Sequence, residues 1–300
     1  MANKTIPIIT DTEASKDPFE ENADTIGVPQ NVKIFERPVP PDTDDKEAAA
    51  KCRGLFVQLL KAMRDMRPGE TPNPRLALNG FDQKSLGLIN QTLGEGEVSI
   101  QVLEPENKAY DEIRIVETVF IGIWRVQYFL KNREVADEIE VGFIPACVGA
   151  SARKHATKDF LSEDITFPEG AMNSPAIMAE LKTVLAKRGP ESETFTINLS
   201  HLPISQDDIT LINKTLGTGS VFIVSKGFGN CQISSTLVRD VWRVQYYNNA
   251  INNLLILNTI VVTDLPLEAQ ASADDITDST KRIGDYIAWL TESWQLSPLN

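Results

Sequence analysis

Cysteine and histidine are scarce in this chain. Its 300 residues include three cysteines, Cys52, Cys147 and Cys231, and two histidines, His155 and His201. The thiols stand far apart, their number is odd, and no Cys-x-x-Cys occurs. Neither a disulfide framework nor a zinc site is signalled. Such cysteine usage fits the reducing cytosol. No metal site, cofactor or catalytic residue is expected. A Ser/His/Asp or Cys/His arrangement cannot be assembled without inventing its geometry, and no pair of carboxylates recurs for general acid–base work. Long apolar runs are missing too; none reaches the roughly 20 residues that span a bilayer. The start, Met1-Ala2-Asn3-Lys4, lacks the basic stretch and apolar core of a secretory signal. A cytoplasmic protein without membrane insertion is the expectation. Basic residues are outnumbered, 29 against 42 acidic, for a net charge of −13. That field repels a phosphate backbone and argues against nucleic acid as a partner.

What the chain does have is a repeat. Trp124-Arg125-Val126-Gln127-Tyr128 recurs as Trp242-Arg243-Val244-Gln245-Tyr246, 118 residues later. Upstream, residues 88–100 (LINQTLGEGEVSI) match residues 211–223 (LINKTLGTGSVFI) at nine of 13 positions, with an offset of 123. The same order with one short gap marks a duplicated module. Two copies with a period near 120 read as two fused domains, not a solenoid. With 42% hydrophobic residues, each can bury a core.

Five segments follow in chain order: an extended or disordered arm over 1–45, a first α+β module over 46–148, a linker over 149–175, a second module over 176–266, and a C-terminal helix within 267–300. The arm is rich in Pro, Asp, Glu and Thr, with Val32-Lys33-Ile34-Phe35 as its apolar patch. In each module a helix, a short strand and a second helix precede a mainly antiparallel sheet, and the modules should be related by a pseudo-twofold axis. Cys52, Leu55, Phe56, Leu59 and Met63 form the first helical stripe. Gly94 and Gly217 end the second helices. They follow a helix and lead into a strand, the reverse of a phosphate-cradling loop, so they read as helix caps. Ile113–Leu130 and Ile233–Tyr247 read as long extended segments. The final helix should span about Asp278 to Trp294.

On a strand, side chains alternate between faces. Trp124, Val126 and Tyr128 share one face, as do Trp242, Val244 and Tyr246; this face is core. Arg125 and Gln127, with Arg243 and Gln245, share the other. Their presence in both copies fits cross-strand pairs that hold the sheet. It also fits a polar stripe that reads a partner's backbone or carboxylates.

The Leu-Gly-x-Gly-x-Val stretch followed by Trp-Arg-Val-Gln-Tyr resembles the repeated C-terminal region of HupH/HyaF-type hydrogenase expression proteins. The resemblance covers roughly residues 76–146 and 195–266. It implies a non-catalytic accessory protein, an assembly chaperone, for maturation of an uptake nickel–iron hydrogenase. The implied partners are a hydrogenase subunit precursor and other accessory proteins. An enzyme or a metal-delivery factor in the same pathway is the alternative; the scattered Cys and His residues stand against delivery.

Overall fold

The computed structural model describes residues 45–67, 72–162, 164–189, 192–226, 230–248 and 254–293. The arm expected over residues 1–45, with its Val32–Phe35 patch, lies outside the described residues except for Asp45. The first module runs α1 (Lys46–Asp65), β1 (Arg75–Ala77), α2 (Gln83–Leu93), β2 (Val98–Leu103), β3 (Glu112–Glu117), β4 (Ile123–Leu130) and β5 (Arg133–Val141). Helix α3 (Ala146–His155) follows. The second module repeats the order as α4 (Ser174–Lys187), β6 (Phe195–Asn198), α5 (Gln206–Leu216), β7 (Val221–Ser225), β8 (Asn230–Ser235), β9 (Val241–Asn248) and β10 (Leu254–Val262), and α6 (Ala273–Ser293) ends the described chain. The protein is α+β and duplicated, with helices packed on an antiparallel sheet.

Local chemistry sets the helix ends. The Asp45 carboxylate accepts from the Glu47 and Ala48 amides, both at 3.1 Å, and starts α1. Ser205 and Asp208 form a reciprocal capping box at α5, with Asp standing where Glu or Gln is usual. Asp208 also accepts from the Ser174 amide at 2.8 Å and so ties the start of α4 to α5. Gly94 (φ 54°) and Gly217 (φ 64°) cap α2 and α5 in the left-handed region.

The two long extended segments are in fact hairpins. The chain turns after Glu117 and again after Ser235, so that β3 pairs with β4 and β8 with β9. Gly122 (φ 88°) and Asp240 (φ 59°) make the turns possible. Thr118 and Thr236 lock them in the same way. Each hydroxyl accepts the amide two residues on and donates to that residue's carbonyl, Phe120 in one module and Val238 in the other.

The ten strands among the described residues form one sheet, in the order β1-β5-β4-β3-β2-β7-β8-β9-β10-β6. The modules meet where β2 pairs antiparallel with β7. Ile100 faces Ile223, its own counterpart at the repeat offset of 123, and Val98↔Ser225 mirrors Val102↔Val221. The pseudo-twofold axis therefore passes through the Ile100–Ile223 pair.

The segment that leaves each module crosses to the other. After β5, α3 starts where buried Glu140 accepts the Ala146 amide at 2.7 Å, and α3 reaches β7. Residues 149–175, read as a linker, thus hold most of α3; its small residues bury Gly149, Ser151 and Ala152. Beyond it, Phe160 enters the core of α4, and the Lys158 ammonium caps the Lys214 and Thr215 carbonyls at the end of α5. After β10, α6 lies on α1. Thr280 meets Met63, the Tyr286 ring lies 5.0 Å from that of Phe56 at a tilt of 56°, and Arg53 reaches Thr291, so the helices run antiparallel. The last helix begins at Ala273, five residues before Asp278, the start expected from the sequence (278 − 273). Trp294 lies outside the described residues.

Gly122 touches α6 closely: a Cβ there would come within 2.8 Å of the Ile276 side chain, at a φ of 88°. Replacement Gly122→Ala adds left-handed strain of about 1–3 kcal/mol to that clash. Urea unfolding is expected to show a lower midpoint, and an unchanged midpoint would refute the close packing of α6 on this turn.

Candidate functional site

The pentapeptides occupy matched environments. Both tryptophans are buried, and the Trp124 indole donates to the Gly142 carbonyl at 2.9 Å as the Trp242 indole does to Thr263 at 3.1 Å. Tyr128 is buried and packs 4.6 Å from the Tyr110 ring, while Tyr246 is half-buried with its hydroxyl toward Glu268. The aromatic face is core, as alternation implies.

The opposite face is covered too, by the helices. Arg125 forks onto Asp137 of β5, with Nε–Oδ1 at 3.0 Å and Nη2–Oδ2 at 2.6 Å. Its third contact runs from Nη1 to Asn90 Oδ1 of α2, at 2.7 Å. Arg243 does the same in the second module, donating to Asn213 of α5 at 2.8 Å and to Asn258 of β10 at 2.9 Å. Asn90 and Asn213 are the Asn of the repeated Leu-Ile-Asn. The two sequence motifs are therefore the two ends of one interaction, which fastens helix to sheet. Gln127 donates to Glu134 at 2.7 Å. Gln245 donates to Asn258 at 3.3 Å and accepts from the Tyr247 hydroxyl at 3.0 Å.

Burial differs along this stripe. Gln245 is 0% exposed and Arg243 5%. Neither is open to a partner as the module stands, and Arg243 is held against α5 through Asn213. Arg125 and Gln127 are half-buried and already bonded within the module. Arg125, Gln127, Arg243 and Gln245 thus all carry bonds within their own module, the arrangement that the cross-strand reading of the stripe expects. Asn90 and Asn213 were the missed members. Their signal was available: the Asn is retained in both copies of the repeated Leu-Ile-Asn-x-Thr-Leu segment.

Burial pushes the thiols of Cys52, Cys147 and Cys231 up to about 12, which leaves them protonated at neutral pH. Among the described residues, no three His, Cys, Asp or Glu side chains come together as a metal site. His155 bonds the Glu104 carbonyl, and His201 lies beside Asn198 in a turn. Among the same residues, no helix is long and apolar enough to cross a membrane.

With the duplicated clamp defined, the comparisons with known proteins fall into place. The family model described as the C-terminal conserved region of HupH hydrogenase expression protein matches twice, over residues 51–159 and 171–290. The chain belongs to the HupH hydrogenase expression protein family. Both matched regions run past the sheet into the crossing segments, so each HupH unit includes the part that packs on its neighbour. The hydrogenase expression/formation protein HoxQ of Cupriavidus necator is 37% identical over 271 residues, 90% of this chain and 93% of that protein. HupH of Rhodobacter capsulatus is 30% identical over 96% of this chain and 98% of its own length. The hydrogenase-1 operon protein HyaF of Escherichia coli is 30% identical over 73% of each.

Two outcomes test the HupH clamp and its surroundings. Arg243→Ala removes the donor that reaches the exposed Asn213 and one of two donors to the buried Asn258, which keeps Gln245, at a cost of roughly 1–3 kcal/mol in all. Thermal and urea unfolding should show a clear loss, larger than for the part-exposed Arg125→Ala; equal stability to the parent would remove the clamp. Glu117, 5% exposed, has its carboxyl pushed up to about 7 by burial and by the Glu97 and Asp275 carboxylates. Its folded value exceeds the unfolded one, so the stability it confers is complete below about 4.5 and is lost as pH rises through about 7. Glu117→Gln should flatten the fall in stability between pH 5.5 and 8, read by chemical denaturation; an unaltered slope would assign the fall to other groups.

Proposed function

We propose that the protein is a non-catalytic accessory factor in the maturation of an uptake nickel–iron hydrogenase, acting in the cytoplasm by binding a hydrogenase subunit precursor. One observation carries this reading: the likeness to hydrogenase expression/formation proteins extends over nearly their whole length, 93% of the Cupriavidus protein and 98% of the Rhodobacter one. The chemistry agrees. The thiols are buried and protonated, and the polar residues shared by the two modules are spent on internal bonds. What remains for function is surface, presented on a rigid duplicated sheet. The net charge of −13 favours a partner with basic segments.

Metal delivery is the competing reading, and its ligands would have to come from the dispersed Cys147, Cys231 and His201. Purified protein is expected to carry no stoichiometric nickel, iron or zinc by elemental analysis. One-to-one metal that disappears on replacing any of those three residues would favour delivery. The chaperone reading is tested in a host that makes hydrogenase. Deleting the gene should lower hydrogenase activity, and a tagged chain should capture subunit precursor and not the finished enzyme. Normal activity in the deletion strain, or equal capture of mature enzyme, would overturn it.

A further inference from the structure

The crossing segments end in grooves that correspond to each other but are filled unequally. The first module's groove lies between the end of α1, the turn before β4 and the end of β5. Helix α6 fills it. Ile276 sits against Gly122, Thr280 against Met63, and the Arg282 guanidinium lies 5.2 Å over the Phe120 ring. The Ala271 amide donates to the Phe143 carbonyl at 2.8 Å. Their counterparts in the second module are Asp240, Leu185, Val238 and Asp264. The helix stripes Leu55, Phe56, Leu59, Met63 and Ile177, Met178, Leu181, Leu185 share one spacing, and the two turns carry the same threonine hydrogen bonds.

Those four counterparts line an open cleft of about 570 Å³. The cleft exists because the incoming segment is short. Where the first module receives a helix of 21 residues, the second receives the turn Lys158–Leu161. Phe160 is spent on the core, and Leu161 is left 48% exposed on the cleft wall. Charge differs between the two grooves. α6 begins with Asp274 and Asp275, whereas the open cleft is lined by Arg153, Lys158, Arg188 and Arg239 against Asp159, Asp240 and Asp264; Arg239 is exposed and lies 3.8 Å from Asp240. Arg188 is held inside the cleft by Asp240 and Asp264.

We propose that this cleft is a docking groove for an amphipathic α-helix supplied by a partner protein, apolar on one side and acidic in its first turn. The filled groove of the first module is the template: the same backbone frame already holds such a helix through apolar contacts near its start. An acidic first turn suits both the positive end of the incoming helix and the exposed Arg239. Recognition is of the helix-in-groove kind, with anchors at successive turns. The inference stands whichever protein supplies the helix.

The probe is a labelled peptide with the α6 sequence, Ala273–Ser293, titrated into the full chain and followed by fluorescence anisotropy. Saturable one-to-one binding is expected, weakened at least tenfold by Leu185→Asp and by Arg239→Glu. A peptide with both Asp274→Lys and Asp275→Lys should bind the parent at least tenfold more weakly. Arg239 is exposed, so its variant keeps the test independent of folding, checked by circular dichroism. Absence of saturable binding overturns the proposal. So does binding of equal strength to parent and both variants, since the peptide would then be replacing α6 on the first module. Self-association of the chain that is lost in Arg239→Glu would give the groove to α6 of a second copy, and also overturns the partner assignment.

Discussion

The ladder between β2 and β7 is the interaction on which the rest of the structure depends. It converts two five-stranded sheets into one and hides the edge that each would otherwise expose. Its stability comes more from side chains than from the ladder. Val98, Ile100, Val102, Val221 and Ile223 share one buried face at the seam, and burial of each is worth roughly 1.5–3 kcal/mol. A backbone hydrogen bond adds only about 1 kcal/mol net. The remaining edges are short: β1 has three residues and β6 has four. The seam also brings the end of each module within reach of the other, which is what lets α3 and α6 cross.

Around this seam the two modules have kept their geometry while changing its chemistry. The arginine clamp faces Asp137 in one module and Asn258 in the other, an ion pair against a hydrogen bond from a charged donor to a neutral acceptor. Glu140, which holds the start of α3, has Val261 as its counterpart. Glu117 has Ser235, whose hydroxyl accepts the Val221 amide. In each case a carboxylate of the first module is matched by a neutral side chain in the second.

Much of this was legible in the sequence, because duplication shows which residues a fold retains. The repeated motifs located the helix caps, the buried tryptophans and the shared order of elements. Three features were not legible, for different physical reasons. The turn at Thr118–Gly122 has no Pro or Asn and lies within an apolar run, so periodicity reads straight through it. Helix α3 is built from Gly, Ala and Ser, which pack closely but show almost no hydrophobic period. The bond from Arg125 to Asn90 joins residues 35 apart, and no local pattern links a strand residue to a helix residue across a sheet face. The alternation rule placed Arg125 and Gln127 correctly on one face. It could not say that helices cover that face.

The register at the seam bears on where the protein came from. Because Ile100 meets its own counterpart, the ladder is self-complementary: two separate copies of a single module would form it by ordinary twofold symmetry, each patch meeting itself. An ancestral homodimer of one-module chains satisfies every contact of the ladder without a linker. Joining the copies in one chain makes the encounter intramolecular. It also ends the constraint that both halves carry the same sequence. A mutation in a homodimer changes both halves at once, whereas here one half was free to keep a long closing helix while the other was left with a short turn.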